Sequence, residues 1–275
     1  QVGFLSGGLT SPAASPDLRS LGAIAYEPLW VFTRTGAAVR GLPDLQDKRL
    51  SIGPEGSATR VLTLDLLKLN TRDIGSIQLL GLPPEEAGEE LLQGRIDAAS
   101  MLTSWDSPAV QHLIISDSTE LMSFPRADAY IALKPYLTKV IVPTGVGDLA
   151  TNRPPHDVTL LATRSSLVVR EDLHPALQYL FLEAAAQIHS KAEVFQKAGE
   201  FPAAESVDLP LSSHALHFYK SGRPFLQRYL PFWLAIMGEQ LLVLAIPIAG
   251  ILYPLANGLS ALYAWSMRRR IFMIY

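Results

Sequence analysis

The sequence predicts an α/β fold built around a parallel sheet, and three observations carry that expectation. From Leu50 to Leu102, short apolar runs alternate with helical patterns, as in strands joined by right-handed helical crossovers. Within that stretch, Arg49-Leu50-Ser51-Ile52 passes through a two-glycine turn, Gly53 to Gly56, into a helical pattern with Leu62, Leu66, Leu67 and Leu69. The chain's 275 residues leave room for two compact units and additional segments.

Along the chain, Val2-Gly3-Phe4-Leu5 reads as a strand. Leu21–Ala25 and Leu29–Thr33 read as two strand-forming runs broken at Glu27-Pro28. Gly41-Leu42-Pro43-Asp44-Leu45 predicts a turn with a short helix. Next come a strand at 50–52, a helix at 57–70, a strand at 77–80, a helix over 84–93 and a strand over 96–101. Residues 103–165 are mixed, with strand candidates at 112–115, 139–142 and 158–162. A long amphipathic helix is expected over Leu173–Lys197, because Leu177, Leu180, Phe181, Ala184 and Ile188 recur at helical spacing. Residues 199–213 form a Pro/Ala/Ser linker, and Leu216–Tyr229 reads as a short basic helix.

Composition excludes several functions. A formal charge of −3 offers no basic face for nucleic acid. The absence of cysteine removes disulfides and thiolate zinc sites. His156, His174 and His189 are too far apart in sequence to suggest a metal site, and no H-E-x-x-H, G-x-S-x-G or phosphate-loop motif is present. We therefore expect neither a metal, nor a cofactor, nor an enzyme. The chain starts at Gln1 inside a strand pattern, and its start reads as a cut within a domain.

Mean hydropathy of +0.20 is high, and the C-terminal region explains it. Residues 240–267 contain no charged side chain. As one helix they would span roughly 42 Å, against the ~30 Å of a bilayer core. Trp233, Tyr263 and Trp265 suit the two interfaces, and Arg268-Arg269-Arg270 would face the cytoplasm. The expectation is a single membrane span kinked at Pro247 and Pro254, with the larger N-terminal part outside; a buried helical hairpin is the alternative.

Gly53–Arg60 carries the main chemical expectation. The first N–H groups of a helix lack internal partners and sit at the positive end of its dipole, so they form a socket for an anion. Ser57 and Thr59 add hydroxyls and Arg60 a charge. A capped strand-to-helix turn is the alternative reading of the same residues.

Several segments occur in a recognisable order: Val2–Gly8, Tyr26-Glu27-Pro28-Leu29-Trp30-Val31, Leu42–Leu45 with Lys48–Gly53, Gly56–Arg60, and Leu92–Ala98. Together they resemble the TAXI family of solute-binding proteins, which serve TRAP transporters. The resemblance implies a type II periplasmic-binding-protein fold, with two lobes joined by crossing strands. On this reading residues 1–34 are the remnant of lobe one, which is truncated at its N-terminus. Residues 35–150 form lobe two and 151–215 return to lobe one. The hydropathy pattern separately makes residues 216–239 a juxtamembrane linker, 240–267 the membrane segment and 268–275 a cytoplasmic tail. The ligand-binding residues that the resemblance implies are Ser6, Gly7 and Gly8 after the first strand, Tyr26 and Glu27 at the hinge, Ser57, Ala58, Thr59 and Arg60 at the helix start, and Ser104 and Trp105 after a later strand. The implied function is capture of a small anionic solute, a carboxylate or amino acid. The partners would be TRAP membrane subunits, and the location the inner membrane with the binding domain facing the periplasm or cell exterior. A two-lobed enzyme acting on a small carboxylate, with Glu27 or Asp106 as base, and a tethered sensor or interaction domain are the alternatives.

Overall fold

The computed structural model describes residues 2–71, 73–205 and 208–222. Gln1–Tyr219 forms one compact unit and Lys220–Tyr275 a second. The expected membrane span at 240–267, the tail at 268–275 and most of 216–239 lie outside the described residues. Among the described residues no helix is long and apolar enough to cross a membrane.

The fold is mixed α/β. Its framework is two long strands, β2 (Leu18–Arg34) and β8 (Val158–Arg170). A short strand, β1 (Val2–Ser6), pairs antiparallel with β8. The sheet runs on from β2 through β5 (Ala98–Leu102) and β3 (Arg49–Ser51) to β4 (Gln78–Leu80). The β3–β4 and β3–β5 pairs are parallel, as the alternating pattern requires. Two further strands, β6 (Thr119–Leu121) and β7 (Thr138–Val142), pair with β2 and β8.

The two runs separated by Glu27-Pro28 are one continuous strand. Proline has no N–H and is poorly tolerated inside a ladder. It is accommodated here because β2 changes partners at this point: Pro28 is opposite Ala162 of β8, and Leu29 is opposite Leu102 of β5.

The helices are α1 (Ala58–Asn70), α2 (Pro84–Leu92), α3 (Pro108–Ile115), α4 (Ala127–Leu133), α5 (Pro175–His189) and α6 (Ser213–Ser221). Leu42–Leu45 forms the expected short turn of 3-10 helix. Residues 112–115, expected as a strand, lie in α3. Pro108 occupies its first turn, where a missing N–H costs nothing, and Ala109, Val110, Leu113 and Ile114 are buried. The helix expected to reach Lys197 stops at His189. The buried Gln196 amide donates to the carbonyls of His189 (3.1 Å) and Lys191 (2.8 Å), satisfying end groups that a longer helix would have bonded internally.

The larger apolar core gathers Trp30, Phe32, Leu50, Leu66, Leu91, Met101 and Leu160 around β2, β3 and β5. A smaller one joins Leu21, Ile24, Leu167, Val169, Leu182 and Ala215. The chain after α5 returns along β2: Ala203 N–H donates to Ala23 O (2.9 Å) and Ser20 N–H to Pro210 O (2.9 Å).

Candidate functional site

Register fixes where the strand ends meet. Both β1 and β2 run antiparallel to β8, so they are parallel to each other; β5 runs antiparallel to β2. Ser6 and Ala25 both pair with Ser165, while Leu102 pairs with Leu29. The C-terminal ends of β1 and β5 therefore point toward each other, at levels only the Ala25–Leu29 stretch of β2 apart. At ~3.3 Å per residue that stretch spans about 13 Å. Because β3 is parallel to β5, the Gly53–Arg60 turn opens on the same level. Ligands in open α/β sheets collect at such carboxyl ends.

On the β3 side, Ser57 is the N-cap of α1. Its Oγ accepts from Arg60 N–H (3.2 Å) and donates to Pro54 O (2.8 Å). The Thr59 hydroxyl, buried, accepts from Leu102 N–H (3.1 Å) and fastens α1 to the end of β5. Both hydroxyls thus hold the turn together. The main-chain N–H groups of Ala58 and Thr59 have no partner among the described residues, which is the arrangement an anion socket needs. Gly53 has φ +83°, and a Cβ there would lie 2.8 Å from Ser57 Oγ; only glycine permits this turn. The Arg60 guanidinium lies beside Gly81, just past β4, and forms no ion pair with Glu55 or any other described residue.

On the β1 side, Ser6 Oγ donates to Glu27 Oε2 (2.5 Å). Gly7 N–H donates to Arg164 O (3.1 Å) and Gly8 N–H to Asp208 Oδ2 (2.6 Å). A Cβ on Gly8 would fall 2.6 Å from the Tyr136 ring, so the Gly7–Gly8 turn is shaped to admit that tyrosine. The Tyr26 hydroxyl donates to Glu200 Oε1 (2.8 Å), and the Tyr26 ring meets Phe201 edge-on at 4.9 Å with the Arg164 guanidinium 6.0 Å from its centre. Burial, reinforced by Glu200, pushes the Tyr26 phenol above its ordinary value. The Lys197 N–H, helped by the Tyr26 hydroxyl, holds the Glu200 carboxyl below its own.

Beyond β5, Ser104 is exposed and its carbonyl accepts from Ser107 N–H (3.3 Å). Trp105 is half-buried in an aromatic group with Trp30 (5.9 Å) and Phe195 (6.2 Å). Trp30 is fully buried and donates its indole N–H to Thr103 O (3.0 Å).

Direct contacts thus join Thr59 to the end of β5 and Ser6 to Glu27. No hydrogen bond or ion pair joins these two groups to each other among the described residues. Sequence reading did not single out Tyr136, Arg164, Phe195, Glu200 or Phe201. Phe201-Pro202, a break within the linker, was the one local signal; the others are delivered by β8 and the returning chain. Among the described residues no cluster of three His, Asp or Glu side chains could hold a metal ion.

Solved structures that show partial likeness to the chain include three binding proteins. The periplasmic aliphatic sulphonate binding protein SsuA from Escherichia coli is 15% identical, with 68% of this chain and 54% of that one covered at a TM-score of 0.40. The alkanesulfonate-binding protein SsuA from Xanthomonas axonopodis pv. citri, bound to MOPS, is 25% identical over 44% of this chain and 42% of that one, with a TM-score of 0.35. An ancestral arginine-binding protein bound to glutamine is 11% identical over 66% and 62%, with a TM-score of 0.41. The chain spans about half the length of the two sulphonate-binding proteins. These likenesses assign it no ligand. A family model, by contrast, matches residues 7–221, a range that begins just after β1 and takes in the ends of β3 and β5 and the returning chain. The protein belongs to the NMT1-like family.

Proposed function

We propose that this chain is an extracytoplasmic solute-binding protein of the two-lobed type, and that it captures a small carboxylate or amino acid. The observation that supports this reading is the convergence of strand ends. The carboxyl ends of β1 and β5 approach from opposite directions at Ala25–Leu29. Ala58 and Thr59 offer N–H groups without partners, and Arg60 a charge without an ion pair. The solute's carboxylate would accept from those N–H groups and from Arg60, while Trp105 and Tyr26 would wall its apolar part. Capture needs no covalent step, and Ser57, engaged as a cap, has no base bonded to its hydroxyl among the described residues. The proposed assembly joins two readings: a receptor tethered by the apolar run 240–267, handing its solute to the TRAP membrane subunits that the TAXI resemblance implies.

The test is calorimetry and thermal shift of the full chain against dicarboxylates and amino acids. A ligand at 100 times its Kd stabilises the folded state by about 2.7 kcal/mol, a readily measured rise in Tm. Arg60→Gln should weaken binding of the carboxylate without lowering the Tm of the free protein. Absence of heat and of a Tm shift with every member of the series would overturn the proposal.

A further inference from the structure

The edge of β6 that faces away from β2 is open. Met122 N–H donates to Val31 O and Thr35 N–H to Ser118 O, both at 2.9 Å, with Glu120 opposite Thr33. This register turns the main-chain groups of residues 118, 120 and 122 toward β2, and those of Thr119, Leu121 and Ser123 away. Their outward N–H groups, and the carbonyls of Thr119 and Leu121, have no partner among the described residues.

A cavity of about 360 Å³ runs along this edge, within the size range of ligand pockets. All five residues from 119 to 123 line it. Side chains alternate across a strand, so five consecutive residues can share one cavity only through the strand's edge. Leu113, Ile114 and Val158 make its floor apolar. Pro154 and Pro155 also line it, and neither has an N–H to offer the edge. A second hollow of about 230 Å³ shares Arg40, Met122 and Ser123 and continues toward Phe124 and Tyr130.

Charge selects among occupants. The Arg40 guanidinium borders both hollows and has no hydrogen bond or ion pair with a described residue; only its main-chain N–H is held, by Asp44 (2.9 Å). The His156 ring is likewise unpartnered, while Arg153 is paired with Asp117. Two carboxylates lie on the lining: Glu120, and Asp44, which already accepts from two main-chain N–H groups. This cavity lies at the far end of the second half of β2, where Phe32 and Thr33 line it, and so is separate from the strand ends described above.

We propose that the β6 edge is a docking site for an extended peptide of about five residues, matched to the length of the free edge. The peptide adds as a strand, seats an apolar side chain in the cavity and sets a carboxylate against Arg40. The test uses a library of acetylated, fluorescein-labelled pentapeptides rich in Val, Leu and Thr, each with one acidic residue, titrated by anisotropy against the full 275-residue chain. The best binder should lose about tenfold in affinity, the worth of one to two hydrogen bonds, when its alternate amides are N-methylated. Leu121→Pro removes an outward donor that β2 does not use and should weaken binding equally, whereas Leu121→Val should not; circular dichroism checks that both fold. Arg40→Gln should weaken the acidic peptide and leave its side-chain amide analogue unchanged. The proposal fails if no peptide binds tighter than roughly 1 mM. It also fails if N-methylated peptides or Leu121→Pro bind at full strength, or if only free small carboxylates occupy the site.

Discussion

Asp97→Asn offers a sharp test of how β3 and β5 are held together. Asp97 Oδ2 accepts from the Arg49 main-chain N–H (2.9 Å) and from Arg49 Nε (3.0 Å), and Oδ1 accepts from Arg49 Nη2 (3.0 Å). Arg34 adds its charge at 3.9 Å. The side-chain hydrogen bonds from Arg49 are the main cause that holds the carboxyl down at about 2; burial opposes them, and the Arg49 N–H and the two positive charges assist. A fall from the ordinary 3.8 to about 2 corresponds to roughly 2.5 kcal/mol at neutral pH. Arg49 is 38% exposed, so solvent screening reduces this to about 1–2 kcal/mol. The folded pKa lies below the unfolded one, so the contribution is complete above about pH 5 and disappears as pH falls toward 2. Asparagine would also set an N–H₂ against the guanidinium. Urea titrations of both proteins at pH 7 and pH 2.5 measure the difference. We expect a gap of about 1–2 kcal/mol at pH 7, a fall in Tm of about 2–8 °C, and a much smaller gap at pH 2.5. A gap as wide at pH 2.5 as at pH 7 would refute the electrostatic account.

Three further outcomes are expected. Ser57→Ala should cost about 1 kcal/mol of stability through loss of the α1 cap, read as a lower urea midpoint. Thr59→Val strands the part-buried Leu102 N–H and should cost about 1–3 kcal/mol, with amide exchange at Leu102 accelerating first. Gly8→Ala forces a side chain into φ +88° and against the Tyr136 ring, at a cost of about 2 kcal/mol or more. In a double-mutant cycle, Tyr136→Ala should recover the steric part of that loss but not the backbone part.

Much of the parallel segment could be read from the sequence, because its information is local. The Gly53–Arg60 turn, α1, β4, α2 and β5 each carry their own periodicity and breakers within a few residues. The region after Leu102 could not be read in the same way. Leu113-Ile114-Ile115 is a short apolar run, which fits a buried strand or a helix equally well; its burial among Ala109, Val110 and the α2 residues decides for the helix. The end of α5 depends on Gln196 folding back on His189, seven residues earlier, and no helical pattern encodes that. The candidate site divides similarly. Ser57 and Thr59 were legible as residues of a helix start. The cap bonds of Ser57 are local, each three residues away, whereas the bond of Thr59 to Leu102 spans 43 residues and that of Tyr26 to Glu200 spans 174, so no local pattern encodes those two.

The partner change at Pro28 limits how this protein can be taken apart. Residues 29–34 lie between β5 and β6 and pair with both, yet they are encoded ahead of every other strand of that half. A gene segment for 35–150 alone would make a protein missing its middle strand, with two raw edges in its place and a strong tendency to aggregate. A usable minimal piece must keep residues 18–34 covalently attached, or receive them as a separate complementing peptide.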